Sequence, residues 1–103
     1  MNKFQQFYSY DTNKDLIIKL CKKFRLKEPI LQANCYGSVD IVFSNNLKIY
    51  NVQVEYNKVI LKCRSNRDFG KSTKEHMRII KEYTDGNIWY DIVKKISKDS
   101  EIL

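Results

Sequence analysis

At 103 residues the chain has room for one domain with one modest core and none for a separate catalytic module. Nineteen Lys plus Arg against twelve Asp plus Glu give a formal charge of +7, and a pI near 9.3 passes the value of about 9 above which a basic surface points to nucleic acid. Three cysteines without a Cys-x-x-Cys spacing and a single histidine support neither a disulfide framework nor a zinc site, and three glycines leave no Gly-rich phosphate cradle.

Met1 to about Thr12 reads as a short aromatic arm, polar enough that no secretion signal is expected, and no window is apolar enough to span a bilayer. A cytoplasmic protein with reduced core cysteines is the expectation. After Asn13 as N-cap, Lys14 to Lys27 places Ile17, Leu20, Cys21 and Phe24 on one helical face. Pro29 ends that helix. Ile30 to Cys35 reads either as a strand or as an extended loop. Val39, Ile41 and Phe43 then alternate with polar residues, Asn45-Asn46 turns the chain, and Leu47 to Tyr56 returns.

A second turn near Tyr56-Asn57 leads into the most regular segment of the chain, in which Lys58, Lys62 and Arg64 share one strand face and Val59, Leu61 and Cys63 the other. Ser72 and Glu75 offer a capping box for a helix carrying Met77, Ile80 and Tyr83 and stopping at Asp85-Gly86. An additional C-terminal helix follows within residues 87–103, with Trp89, Ile92, Val93 and Ile96 at helical spacing. The expected architecture is a single α+β domain of order α-β-β-β-α plus that helix, its three-stranded antiparallel sheet packed on helices and leaving one open, basic face.

Charge placement says what that face would meet. Residues 46–74 carry seven bases and two acids, and residues 12–28 six and two, whereas residues 75–103 carry five bases and six acids. The candidate RNA-binding residues are therefore Lys48, Lys58, Lys62, Arg64, Arg67 and Lys71, cations on or beside a rigid sheet that can meet phosphates without a loop first having to order. Tyr50 and Tyr56 read as packing residues. An enzyme is not expected: Asp40, Glu55 and Lys58 follow the order of a metal-dependent nuclease, but Glu55 and Lys58 are three apart across a turn where such sites need them two apart on one strand. No catalytic residue, metal ligand or cofactor is assigned.

Ser9-Tyr10-Asp11, Lys23-Phe24-Arg25 through Glu28-Pro29, and Asn57-Lys58 with Leu61-Lys62-Cys63-Arg64-Ser65-Asn66 lie in the order of three motifs of one family. Together they make the chain resemble the 9 kDa protein of the eukaryotic signal recognition particle. It departs from that family at Val42-Phe43-Ser44 and Gln53, where basic residues are usual. The resemblance implies an α-β-β-β-α subunit that joins the particle's 14 kDa protein in a heterodimer and binds the Alu domain of the particle RNA. It also implies a part in elongation arrest on the ribosome, with Lys62 and Arg64 carried over as RNA contacts. The competing readings are a stand-alone double-stranded RNA-binding domain, from the Gly70-Lys71-Ser72-Thr73-Lys74 helix start, and a basic protein-interaction module.

Overall fold

Ser9 divides two helices. The computed structural model describes residues 2–33, 39–45, 47–65 and 77–101, and the segment expected to be an arm is helix α1 (Lys3–Tyr8), followed one residue later by α2 (Tyr10–Lys23). A reciprocal pair of hydrogen bonds explains α1: the Gln5 amide donates to Asn2 Oδ1 at 2.8 Å and the Asn2 amide to Gln5 Oε1 at 3.1 Å, a capping box. Ser9 rather than Asn13 caps α2, its Oγ accepting from the Thr12 amide at 3.3 Å. The Asn13 amide group is used elsewhere, donating to the carbonyls of Phe7 and Ser9 at 2.8 Å each and so fixing α1 against α2.

Helix α2 stops at Lys23, four residues short of the expected end. The Leu26 amide donates to the Cys21 carbonyl at 2.8 Å and the Arg25 amide to Lys22 at 3.3 Å, the two bonds of a Schellman motif. The residue at its turn is Arg25, with φ at +57°, where glycine is the usual occupant because a Cβ costs about 1 kcal/mol or more.

Five strands follow where three were expected: β1 (Ile30–Ala33), β2 (Val39–Ser44), β3 (Lys48–Val54), β4 (Val59–Ser65) and β5 (Arg78–Tyr83), an antiparallel meander in chain order. The ambiguous segment after Pro29 is thus a strand, short and exposed at one edge. The β2–β3 connection is organised by Asn45, whose Oδ1 accepts from the amides of Leu47 and Lys48 at 2.8 Å. Tyr56 and Asn57 form the tip of the next hairpin, closed by the Glu55 amide on the Lys58 carbonyl at 2.8 Å.

The helix expected to carry Met77, Ile80 and Tyr83 is overturned: residues 78–83 are strand β5, and the proposed capping residues Ser72 and Glu75 lie outside the described residues. The error has a physical cause. Lys62 opposes Ile79 and Leu61 opposes Lys81, so Ile80 is an extra residue in the ladder, and a bulge puts two successive side chains on one side. Ile80 and Tyr83 consequently both meet the core although three residues apart, a spacing that imitates one helical turn.

After Gly86, whose φ of +82° suits a residue without Cβ, α3 (Ile88–Glu101) closes the fold. Its Ile88, Trp89, Ile92, Val93 and Ile96 join Ile17, Leu20 and Cys21 of α2 over the sheet face formed by Ile41, Phe43, Tyr50, Val52, Val59 and Leu61. Burying side chains of this size is worth about 1.5–3 kcal/mol each. Cys21 and Cys63 are free and buried. Burial, with the nearby Glu28 charge, pushes the Cys21 thiol up to about 11, so it stays protonated near neutrality. Among the described residues no helix is long and apolar enough to cross a membrane.

Candidate nucleic-acid interface

Strand β4 lies second from one edge of the sheet and keeps the alternation its sequence announces. Val59 and Leu61 are fully buried and Cys63 nearly so, beneath the helices, while Lys62 and Arg64 are half-exposed on the outer face. Two residues along a strand separate them by about 7 Å. Among the described residues neither makes an ion pair; the two pairs found there are Lys48–Asp99 and Lys58–Glu82.

The outer face around them is mixed rather than basic. Across the sheet, Ile30, Val42, Asn51, Lys62 and Ile79 stand in one transverse row, and Ser44, Ile49 and Arg64 in the next. Asp40, also on this face, is only 8% exposed and accepts from Asn51 Nδ2 at 3.1 Å. The expectation of one basic open face on a three-stranded sheet is corrected on both counts: there are five strands, and isoleucines, amides and acids share the surface with the cations.

The six expected contact residues separate accordingly. Lys58, Lys62 and Arg64 come together. Lys58 is shared, its Nζ lying 3.3 Å from Glu82 Oε1 with both side chains well exposed, a geometry worth at most about 1 kcal/mol. Lys48 is on the opposite side of the sheet. It shares strand parity with the buried Tyr50 and Val52, and its Nζ is 2.8 Å from Asp99 Oδ2 on α3. Arg67 and Lys71 lie outside the described residues. Tyr50 is core, whereas Tyr56 is 73% exposed at a hairpin tip, so its expected packing role is not seen.

The cluster that sequence reasoning missed centres on Asp99. One carboxylate oxygen, Oδ2, receives both Lys48 Nζ and the hydroxyl of Tyr50. Burial by itself raises the Asp99 carboxyl, but the Lys48 and Tyr50 hydrogen bonds outweigh it and the net direction is down. Tyr50 moves the other way, pushed up by burial and by donating to a carboxylate. Because the folded pKa of Asp99 is depressed, its contribution to stability is present above the ordinary carboxylate value of about 3.9 and is lost as pH falls through the folded pKa. Tyr50 contributes fully below about pH 10 and loses that contribution as pH rises toward its elevated folded pKa. Urea denaturation across a pH series should therefore show the stability gap between the parent and Asp99→Asn closing in acid. The gap between the parent and Tyr50→Phe should close in alkali, and gaps that stay constant would remove the cluster from the account.

A further aromatic cluster joins the helices. Lys23 and Lys94 place their ammonium groups 5.5 and 5.8 Å from the Tyr90 ring, which packs edge-on against Phe24. The chain matches no protein-family model, no curated protein and no solved structure.

Proposed function

We propose that the protein is a non-enzymatic RNA-binding protein of the cytoplasm that meets the phosphate backbone of a structured RNA with the outer face of its sheet. The observation that carries this reading is the side-by-side presentation of Lys62 and Arg64 from a rigid strand, without an ion-pair partner among the described residues, in a chain of net charge +7. Lys58 adds a third cation, and the half-buried Gln53 lies beside them on the neighbouring strand. The described outer-face positions carry no aromatic residue on which bases could stack, which favours reading of backbone and shape over sequence.

The finer reading, a signal recognition particle subunit that holds Alu RNA with the 14 kDa protein, rests on the β4 residues. The α-β-β-β-α order that accompanied the resemblance is replaced by a five-stranded meander, and the stand-alone double-stranded RNA-binding domain loses the helix it needs over 78–83. Fluorescence anisotropy with an Alu-type RNA, an unrelated hairpin of equal length and a DNA duplex tests both levels. Binding of either RNA should weaken with salt at a logarithmic slope of about −2 to −3, one unit per phosphate neutralised. A preference for the Alu-type RNA supports the finer reading. Salt-insensitive binding, or none to either RNA, would overturn the proposal.

A further inference from the structure

An open cleft of about 590 Å³ lies on the helix side of the sheet, between the segment that follows α2, the β2–β3 hairpin and the C-terminal half of α3. That volume is within the range of small-molecule sites, and Phe43, Lys48 and Tyr50 in its lining belong to the sheet face opposite Lys62 and Arg64. Leu26, Phe43, Leu47 and Ile96 make its apolar lining. The polar groups on its walls are largely engaged with one another: Lys48 and Tyr50 with Asp99, and Asn45 Nδ2 with Ser100 Oγ at 3.0 Å. Arg25 and Lys27 differ. Both line the cleft and are exposed, and among the described residues neither is ion-paired.

Once Lys48 and Asp99 cancel, the two remaining cations leave the rim positive above an apolar floor. Arg25 is held at this rim by the Schellman turn that ends α2. We propose that this cleft binds a small amphipathic anion, its apolar chain lying against Leu26, Phe43, Leu47 and Ile96 and its carboxylate or phosphate head meeting Arg25 and Lys27.

Titration calorimetry with decanoate, decyl phosphate, decanol and decyltrimethylammonium, each below its micellar concentration, tests this with the full chain. At least one anion should bind at a single site, with the alcohol and the cation at least about tenfold weaker, the scale of a lost charge-assisted hydrogen bond. Which anion binds tighter distinguishes a carboxylate source from a phosphate one. The R25G/K27A variant should lose about tenfold or more while remaining folded, because the positive φ at position 25 suits glycine. A K62A/R64A variant, with the same loss of charge elsewhere, should bind as the parent does. Absence of binding by both anions, equal binding of decanol, or an unchanged R25G/K27A affinity would each overturn the site.

Discussion

Reversing Lys62 and Arg64 together to glutamate should weaken binding to structured RNA about 100-fold or more and reduce the dependence on salt by about two phosphate contacts. Each lost charge-assisted hydrogen bond is worth about 1.5–3 kcal/mol, and each new carboxylate adds repulsion from the same phosphates. Both side chains leave the outer face of β4 while Val59, Leu61 and Cys63 hold the strand to the core. The variant should accordingly keep its circular dichroism spectrum and its melting temperature within a few degrees of the parent. Lys48→Ala is the informative contrast. It removes the partner of Asp99 across the core-side surface, so it should lower stability while leaving the RNA affinity of the folded protein unchanged. Should the double reversal bind as well as the parent, or Lys48→Ala weaken binding as much as it does, the outer-face assignment fails.

That contrast also marks how much the sequence revealed. The period of two was legible because Val59, Leu61 and Cys63 are buried on the core side of β4 while Lys62 and Arg64 stay half-exposed on the outer side, although Ile60 on that outer side is buried too. The same parity applied to β3 would have placed Lys48 with Tyr50 and Val52, on the core side. Charge proximity in the sequence masked it. The helix spacing of Trp89, Ile92, Val93 and Ile96 was legible for the same reason, since one whole face of α3 is buried. Strand β5 was not, because a bulge at Leu61/Lys62 shifts its register and breaks the alternation. The carboxylate that gathers Lys48 and Tyr50 comes from a residue about fifty positions away, and nothing local in the sequence indicates that meeting.

The largest stability effect should come from Trp89, which is 2% exposed and donates from Nε1 to the Tyr8 carbonyl at 2.9 Å. Trp89→Ala removes the ring, leaves a cavity among α2, α3 and the sheet, and orphans that carbonyl, together about 3–5 kcal/mol. Domains of this size are stable by about 5–15 kcal/mol in all, so the variant should be marginally folded at 25 °C. Trp89→Phe separates the two contributions, since it keeps most of the buried ring and loses the hydrogen bond, at about 1–2 kcal/mol. Helix α1 has no fully buried residue of its own; it is held by Phe4 and Tyr8 against the core, by the Trp89 bond, by the Tyr8 hydroxyl on the Gly86 carbonyl at 3.2 Å, by Asn13 Nδ2 on the Phe7 carbonyl and, at its cap, by Asn2 Nδ2 on the Tyr56 carbonyl at 2.7 Å. Loss of one of these ties should therefore raise hydrogen exchange in α1 well before the sheet opens. Chemical denaturation measures the first effect and native-state exchange the second. A Trp89→Ala cost below about 1 kcal/mol would mean that the indole is not the keystone of the core. Equal protection of α1 and β4 in Trp89→Phe would mean that the N-terminal helix is held by contacts other than these. RNA affinity should be untouched in Trp89→Phe, because the side chain acts from the face of the sheet opposite Lys62 and Arg64.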